Sequence, residues 1–292
     1  MDRYQKTLAE SQVIENDEVV AAEVKKIVEN SGKYATPEVY QFLFSSIDLT
    51  TLSTEDSVKS VSEFTQRVND FDNDYPQFKN VAAICVYSNF AEVVKANLDV
   101  EGVDIAVVAG GFPSSQTFDA VKVADVAMAV EGGANEVDIV MNVGRFLDEN
   151  YEDLCDEIIE LKHTCRDAKL KVILETGCLK TAANIKKASI LSMYSGADFI
   201  KTSTGKIYTG ASLEAAYVMC QCIKEYYQKT GNKVGFKAAG GVRTSEEALH
   251  YYAIVKEVLG DEWLNHDLFR LGASSLANSL LATITGEEVK YF

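Results

Sequence analysis

Short apolar runs rich in Val, Ile and Phe recur along the chain, separated by longer stretches with helical spacing. The runs are 45–50 (SSIDLT), 81–87 (VAAICVY), 104–109 (DIAVVA), 136–142 (EVDIVMN), 170–176 (LKVILET), 198–204 (DFIKTST), 234–240 (VGFKAAG) and 269–275 (FRLGASS). Each reads as a strand. Between them, Leu154, Ile158, Leu161 and Cys165 form one apolar stripe at helical spacing. Thr244-Ser-Glu-Glu247 has the form of a capping box whose helix ends at Gly260, and Ser212 is a suitable N-cap for a helix running toward Tyr227. Strand–helix alternation of this kind predicts parallel strands covered by helices. Eight units in about 250 residues fit an α/β fold of the closed (β/α)8 TIM-barrel type. The rival, an open doubly wound sheet, lacks a GxGxxG after its first strand. Residues 1–40 read as an N-terminal helical extension with Pro37 near its end, residues 42–281 as the barrel and 282–292 as a tail, all in a single domain.

Strand parity then places the polar residues. Alternate strand positions face the helices and the lumen. If the apolar sets Ile47/Leu49, Ala82/Ile84/Val86, Val137/Ile139/Met141, Ile200 and Val234/Phe236/Ala238 face the helices, then Asp48, Cys85, Asp138, Lys201 and Lys237 face the lumen. Thr50 shares the parity of Asp48. Buried charges must pair, and two Lys–Asp pairs would meet that need structurally. Two lysines on adjacent strands add a chemical reading. Desolvation and a neighbouring cation both depress a lysine pKa. A neutral amine is the nucleophile of Schiff-base chemistry, in which an iminium accepts the electrons of a breaking C–C bond. Asp138 is the candidate acid/base group.

Three strand ends carry glycine: Thr204-Gly205-Lys206, Gly240-Gly241-Val242-Arg243 and Gly272-Ala273-Ser274-Ser275. One alone is a tight turn. Three in consecutive strands predict a phosphate cradle, because glycine lets backbone N–H groups approach an anion and barrels bind phosphate after strands seven and eight. Lys206 and Arg243 supply local positive charge. They must do so against a net charge of −16, which disfavours nucleic acid and anionic membranes as partners. No apolar run is long enough to span a membrane, and the charged start of the chain lacks a signal-peptide core, so a cytoplasmic protein is expected. The six cysteines show no CxxC pair and read as reduced thiols, with Cys220 and Cys222 in the core and Cys178 near the barrel mouth. His163, His250 and His266 show no ligand spacing, so neither metal nor cofactor is expected.

The segments 199–206 (FIKTSTGK) and 235–244 (GFKAAGGVRT) resemble the deoxyribose-phosphate aldolase family. Segments 47–52 (IDLTTL), 83–87 (AICVY), 136–138 (EVD) and 272–275 (GASS) match it in the same order. The loop 110–117 (GGFPSSQT) and the segment 260–264 (GDEWL) are closer to the eukaryotic-type members. The resemblance implies a metal-free lyase that cleaves 2-deoxy-D-ribose 5-phosphate reversibly to D-glyceraldehyde 3-phosphate and acetaldehyde. It implies Lys201 as the Schiff-base lysine, Lys237 as the neighbour that tunes it, and Asp138 in proton transfer. Asp48 and Cys85 would line the pocket, and Gly205, Lys206, Gly240, Gly241, Arg243, Gly272, Ser274 and Ser275 would surround the phosphate. It also implies a homodimer. Two departures stand out: Ala238 replaces a common Pro, and the tyrosine implicated in proton relay is the penultimate Tyr291. Alternatives are another Schiff-base barrel enzyme such as a transaldolase, an isomerase using Asp48 or Asp138, and a barrel that only binds sugar phosphates.

Overall fold

Eight parallel strands close on themselves in chain order: β1 (Ile47–Thr50), β2 (Ala83–Tyr87), β3 (Asp104–Ala109), β4 (Glu136–Val140), β5 (Lys169–Ile173), β6 (Phe199–Lys201), β7 (Gly235–Ala239) and β8 (Phe269–Ala273). This computed structural model describes residues 3–292. Closure leaves no sheet edge open, and it fixes which strand faces point at the helices. Ile47, Leu49, Ile84, Val86, Val137, Ile139, Met141, Ile200, Val234, Phe236 and Ala238 all join the large apolar core between sheet and helices. That core is dense with fully buried β-branched and aromatic side chains, and truncating one of them, Phe236→Ala, costs about 3–5 kcal/mol. A second, small apolar cluster of Ala83, Cys85, Ala106 and Val108 lies inside the barrel.

The helices begin where their caps predict. Ser212 accepts from the Ala215 N–H to start Leu213–Thr230. Thr244 and Glu247 form the full capping box of Ser245–Leu259, and Gly260 follows it at a φ of 85°. Tyr151–Cys165 buries Leu154, Ile158, Leu161 and Cys165. Several strands are shorter than their apolar runs. The second run's first residues precede β2, and the last residues of the fourth, fifth, sixth and eighth runs bend into loops.

The N-terminal extension reaches further than residue 40. It comprises helices Arg3–Ala9, Asp17–Glu29 and Pro37–Phe44, and Pro37 opens the last of them, where its missing N–H costs nothing. It straps the outer helices that follow β5 and β6. Asp17 accepts from the Ala182 N–H at 2.8 Å, Lys186 donates to the Ser11 carbonyl and to Glu15, and the Gln12 N–H donates to Glu225. At the other end of the chain, helix Leu276–Thr285 gives way to a tail. Tyr291 donates to Asp74 at 2.8 Å, and Phe292 packs on Phe44 and Phe71. Phe44 precedes β1 at its entry, so the tail sits at the foot of the barrel. No helix among the described residues is long and apolar enough to cross a membrane.

Candidate active site

The mouth of the barrel, at the strand C-termini, holds a cavity of about 300 Å³. Lys201 reaches its floor from the end of β6. Thr50 lines one wall, and Gly205, Lys206, Gly240, Gly241, Arg243, Gly272, Ser274 and Ser275 line the rest. Eight of the residues expected around a phosphate therefore meet in one place, together with Leu52, Thr204, Ala239, Val242 and Ala273, to which sequence reasoning gave no role. The glycines have specific tasks here. Gly240 and Gly241 adopt φ values of 85° and 91°, open to glycine and strained for other residues. At Gly272, a Cβ would come within 3.0 Å of the Lys237 side chain, so its absence makes room for that lysine. Ser275 lies at the N-terminus of helix Leu276–Thr285, whose free N–H groups and dipole favour an anion. Lys206 Nζ spans the mouth to the Leu52 carbonyl.

Beneath the cavity lies a charged layer. Asp138 Oδ2 accepts from both lysines, Lys201 at 2.7 Å and Lys237 at 2.8 Å. Lys237 also pairs with Asp48. Asp48 in turn accepts from Lys171 at 2.8 Å and from Arg270 at 2.6 Å, while Lys171 and Arg270 both bond Glu136. The strand register produces this packing: Asp138 pairs with Lys171 across β4–β5, Lys201 with Lys237 across β6–β7, and Lys237 with Arg270 across β7–β8. All seven groups are essentially removed from water. They amount to four cations against three buried carboxylates, and the part-exposed Asp104 adds a further partner for Arg270 at 3.2 Å.

Lys201 is the group that yields. Burial pushes its ammonium below the ordinary lysine range, and the positive charge of Lys237 adds to the effect, although Asp138 opposes it. Lys237 behaves in the opposite way from the expectation that the two lysines depress each other. Burial alone would lower it too, but Asp138 and Asp48 flank it and hold it well above the ordinary range. Lys237 is thus a fixed cation, and only Lys201 is lowered toward a free amine. Asp138 pays a burial cost that Lys201, Lys237 and Lys171 overcome, so it stays ionised. Its second oxygen, Oδ1, is buried without a hydrogen-bond partner.

Other positions singled out in the sequence lie outside the cavity lining. Asp48 and Cys85 face the lumen, but they lie under the cavity and do not line it. Burial raises the Cys85 thiol pKa, which makes it a small apolar wall and a poor nucleophile. Tyr291 does not line the cavity; its hydroxyl is held by Asp74 and its ring is packed by Phe71, Tyr75 and Phe292. Cys220 and Cys222 are packed in the outer core, where burial pushes Cys222 up to about 12. Sequence reasoning missed Glu136, Lys171 and Arg270. Each has inward parity in a run already identified as a strand, so the parity argument applied to Asp138 would have found them.

Residues 42–278 match the model of the DeoC/LacD family aldolases. The chain is 43% identical over 270 residues to a putative deoxyribose-phosphate aldolase of Caenorhabditis elegans, covering 91% of this chain and 88% of the relative. Over 250 residues it is 43% identical to the deoxyribose-phosphate aldolase of Mus musculus, covering 80% and 77%. Among solved structures, it is similar to a putative deoxyribose-phosphate aldolase from Coccidioides immitis, with a TM-score of 0.69 and 28% identity over 90% of this chain and 97% of that one. A likeness to a putative deoxyribose-phosphate aldolase from Toxoplasma gondii (TM-score 0.73, 20% identity, 86% and 95% covered) concerns the fold alone.

Proposed function

The chain belongs to the DeoC/LacD family of aldolases and is a lyase acting at a carbon–carbon bond; we propose that it cleaves 2-deoxy-D-ribose 5-phosphate, reversibly, through an imine on Lys201. One observation carries this reading: of the four cations in the charged layer, Lys201 alone is lowered in pKa, and it is also the one at the cavity floor.

The chemistry follows from the positions. The open-chain sugar enters with its phosphate toward the glycine turns and the start of helix Leu276–Thr285, which places its aldehyde carbon toward Lys201. The neutral Nζ adds to that carbon, and loss of water leaves a protonated imine. Asp138, through Oδ1, which makes no hydrogen bond, and a water, accepts the C3 hydroxyl proton. The C3–O bond becomes a carbonyl, the C2–C3 bond breaks, and its electron pair moves into the iminium to give an enamine. D-glyceraldehyde 3-phosphate departs. Protonation of the enamine at C2 and addition of water release acetaldehyde and regenerate the amine. Lys237 remains charged throughout, which keeps Asp138 ionised and favours the neutral form of Lys201. Thr50 and Leu52 border the same space.

The test is product analysis with 2-deoxyribose 5-phosphate, reading each aldehyde with its own coupled dehydrogenase. Equal amounts of acetaldehyde and glyceraldehyde 3-phosphate are expected. An isomerised sugar phosphate without acetaldehyde would replace this reading with acid/base isomerisation.

A further inference from the structure

Glu175 belongs to no part of the mechanism above, yet it is a carboxylate 3% exposed, two residues beyond the end of β5. Its backbone is left-handed, at φ 55° and ψ 58°, a conformation that residues other than glycine seldom adopt. It forms no ion pair among the described residues, and the hydrogen bonds of its carboxylate run to a single neighbour. Oε2 accepts from the Thr204 hydroxyl at 2.6 Å, and Oε1 accepts from the Thr204 N–H at 3.2 Å. With its proton committed to Glu175, the Thr204 oxygen turns a lone pair to the Lys206 N–H, at 3.2 Å. Thr204, Gly205 and Lys206 all line the cavity. A buried carboxylate in an unfavoured backbone conformation therefore fixes the first loop that borders the site.

Resting on the reading that this cavity takes a phosphorylated sugar, we propose that Glu175 is a positioning residue for the phosphate end: by holding both polar groups of Thr204, it sets the conformation in which the Thr204–Lys206 turn meets the anion. It touches neither substrate nor Lys201.

The chemistry of an amide makes the proposal specific. The Thr204 N–H and hydroxyl go to different oxygens of Glu175; in Glu175→Gln one of those oxygens becomes an NH2 donor, so one of the two bonds loses its acceptor atom. Losing one charge-assisted hydrogen bond in a buried site corresponds to roughly a tenfold to hundredfold effect. The readout is the ratio of kcat/KM for 2-deoxyribose 5-phosphate to that for unphosphorylated 2-deoxyribose. In E175Q this ratio falls at least tenfold, chiefly through a higher KM for the phosphate ester. Borohydride trapping with acetaldehyde, which carries no phosphate, keeps its rate. Thr204→Val removes the hydroxyl from the other side, and it gives the same fall if E175Q does not accumulate as folded protein. An unchanged ratio overturns the proposal, as does a parallel loss for both sugars and for acetaldehyde trapping, which marks a merely structural role. Wild-type protein that turns over neither sugar overturns the functional reading, and this inference with it.

Discussion

Removing the charge of Lys237 should raise the pKa of Lys201. The two ammonium groups share Asp138 Oδ2, so their nitrogens lie no more than about 5.5 Å apart. At that separation and an effective dielectric constant of about 20, two like charges repel by roughly 3 kcal/mol. Divided by 1.36 kcal/mol per unit, this is about two pKa units. In Lys237→Met the buried layer loses one of its four cations and keeps its three carboxylates, so protonating Lys201 meets less positive charge. The freed Asp138 oxygen acts in the same direction. The assay is kcat/KM against pH, whose acid limb reports the free enzyme's nucleophile. Imine formation needs the neutral amine, so activity rises with pH through the Lys201 pKa. The limb should move about two units toward higher pH, and activity below the limb should fall roughly a hundredfold. At high pH much of the activity should return. A variant whose limb does not move, or one inactive at every pH, would refute the reasoning and give Lys237 a direct chemical step.

Three further predictions follow from the same charges and contacts. Arg270→Met strips bonds from Asp48, Glu136 and Asp104 and leaves buried carboxylates short of a partner, so denaturant unfolding should show a loss of about 3–5 kcal/mol. Asp48 and Asp138 are held well below the ordinary carboxylate range by their cations. Their contribution is therefore complete above the unfolded value of about 4 and is lost as pH falls below it, with a slope of up to about 2.7 kcal/mol per pH unit in urea titrations. Tyr291→Phe should leave kcat and its pH profile unchanged and cost about 0.5–1.5 kcal/mol in stability, the loss of its bond to Asp74; a fall in kcat alone would bring the tail into the reaction.

Much of this site was legible because a strand has a period of two. The apolar residues around Asp138, Lys201 and Lys237 fix an outward face, and the charged residue between them has nowhere to point but inward. The glycine turns after three consecutive strands were legible for a similar reason, since a backbone that must approach an anion excludes side chains. What stayed hidden is three-dimensional. Whether a lysine is raised or lowered depends on how many carboxylates reach it, and Asp48 reaches Lys237 from β1, two strands away around the barrel. Depth along a strand is hidden as well. Asp48 and Thr50 share a face, but only Thr50 reaches the cavity, one layer higher. Glu175 was obscured because its run reads as continuous strand to residue 176, whereas the strand ends at Ile173 and the chain turns left-handed. The tail tyrosine was placed by aromatic packing at the barrel foot, to which no local pattern points.

The claim at the centre of the account is that Lys201 forms the imine while Lys237 stays charged. Borohydride reduction in the presence of 2-deoxyribose 5-phosphate or acetaldehyde, followed by peptide mass mapping, tests it directly. The account predicts one adduct, on Lys201, dependent on substrate and accompanied by inactivation. An adduct on Lys237, or full activity with no adduct on either lysine, would contradict it.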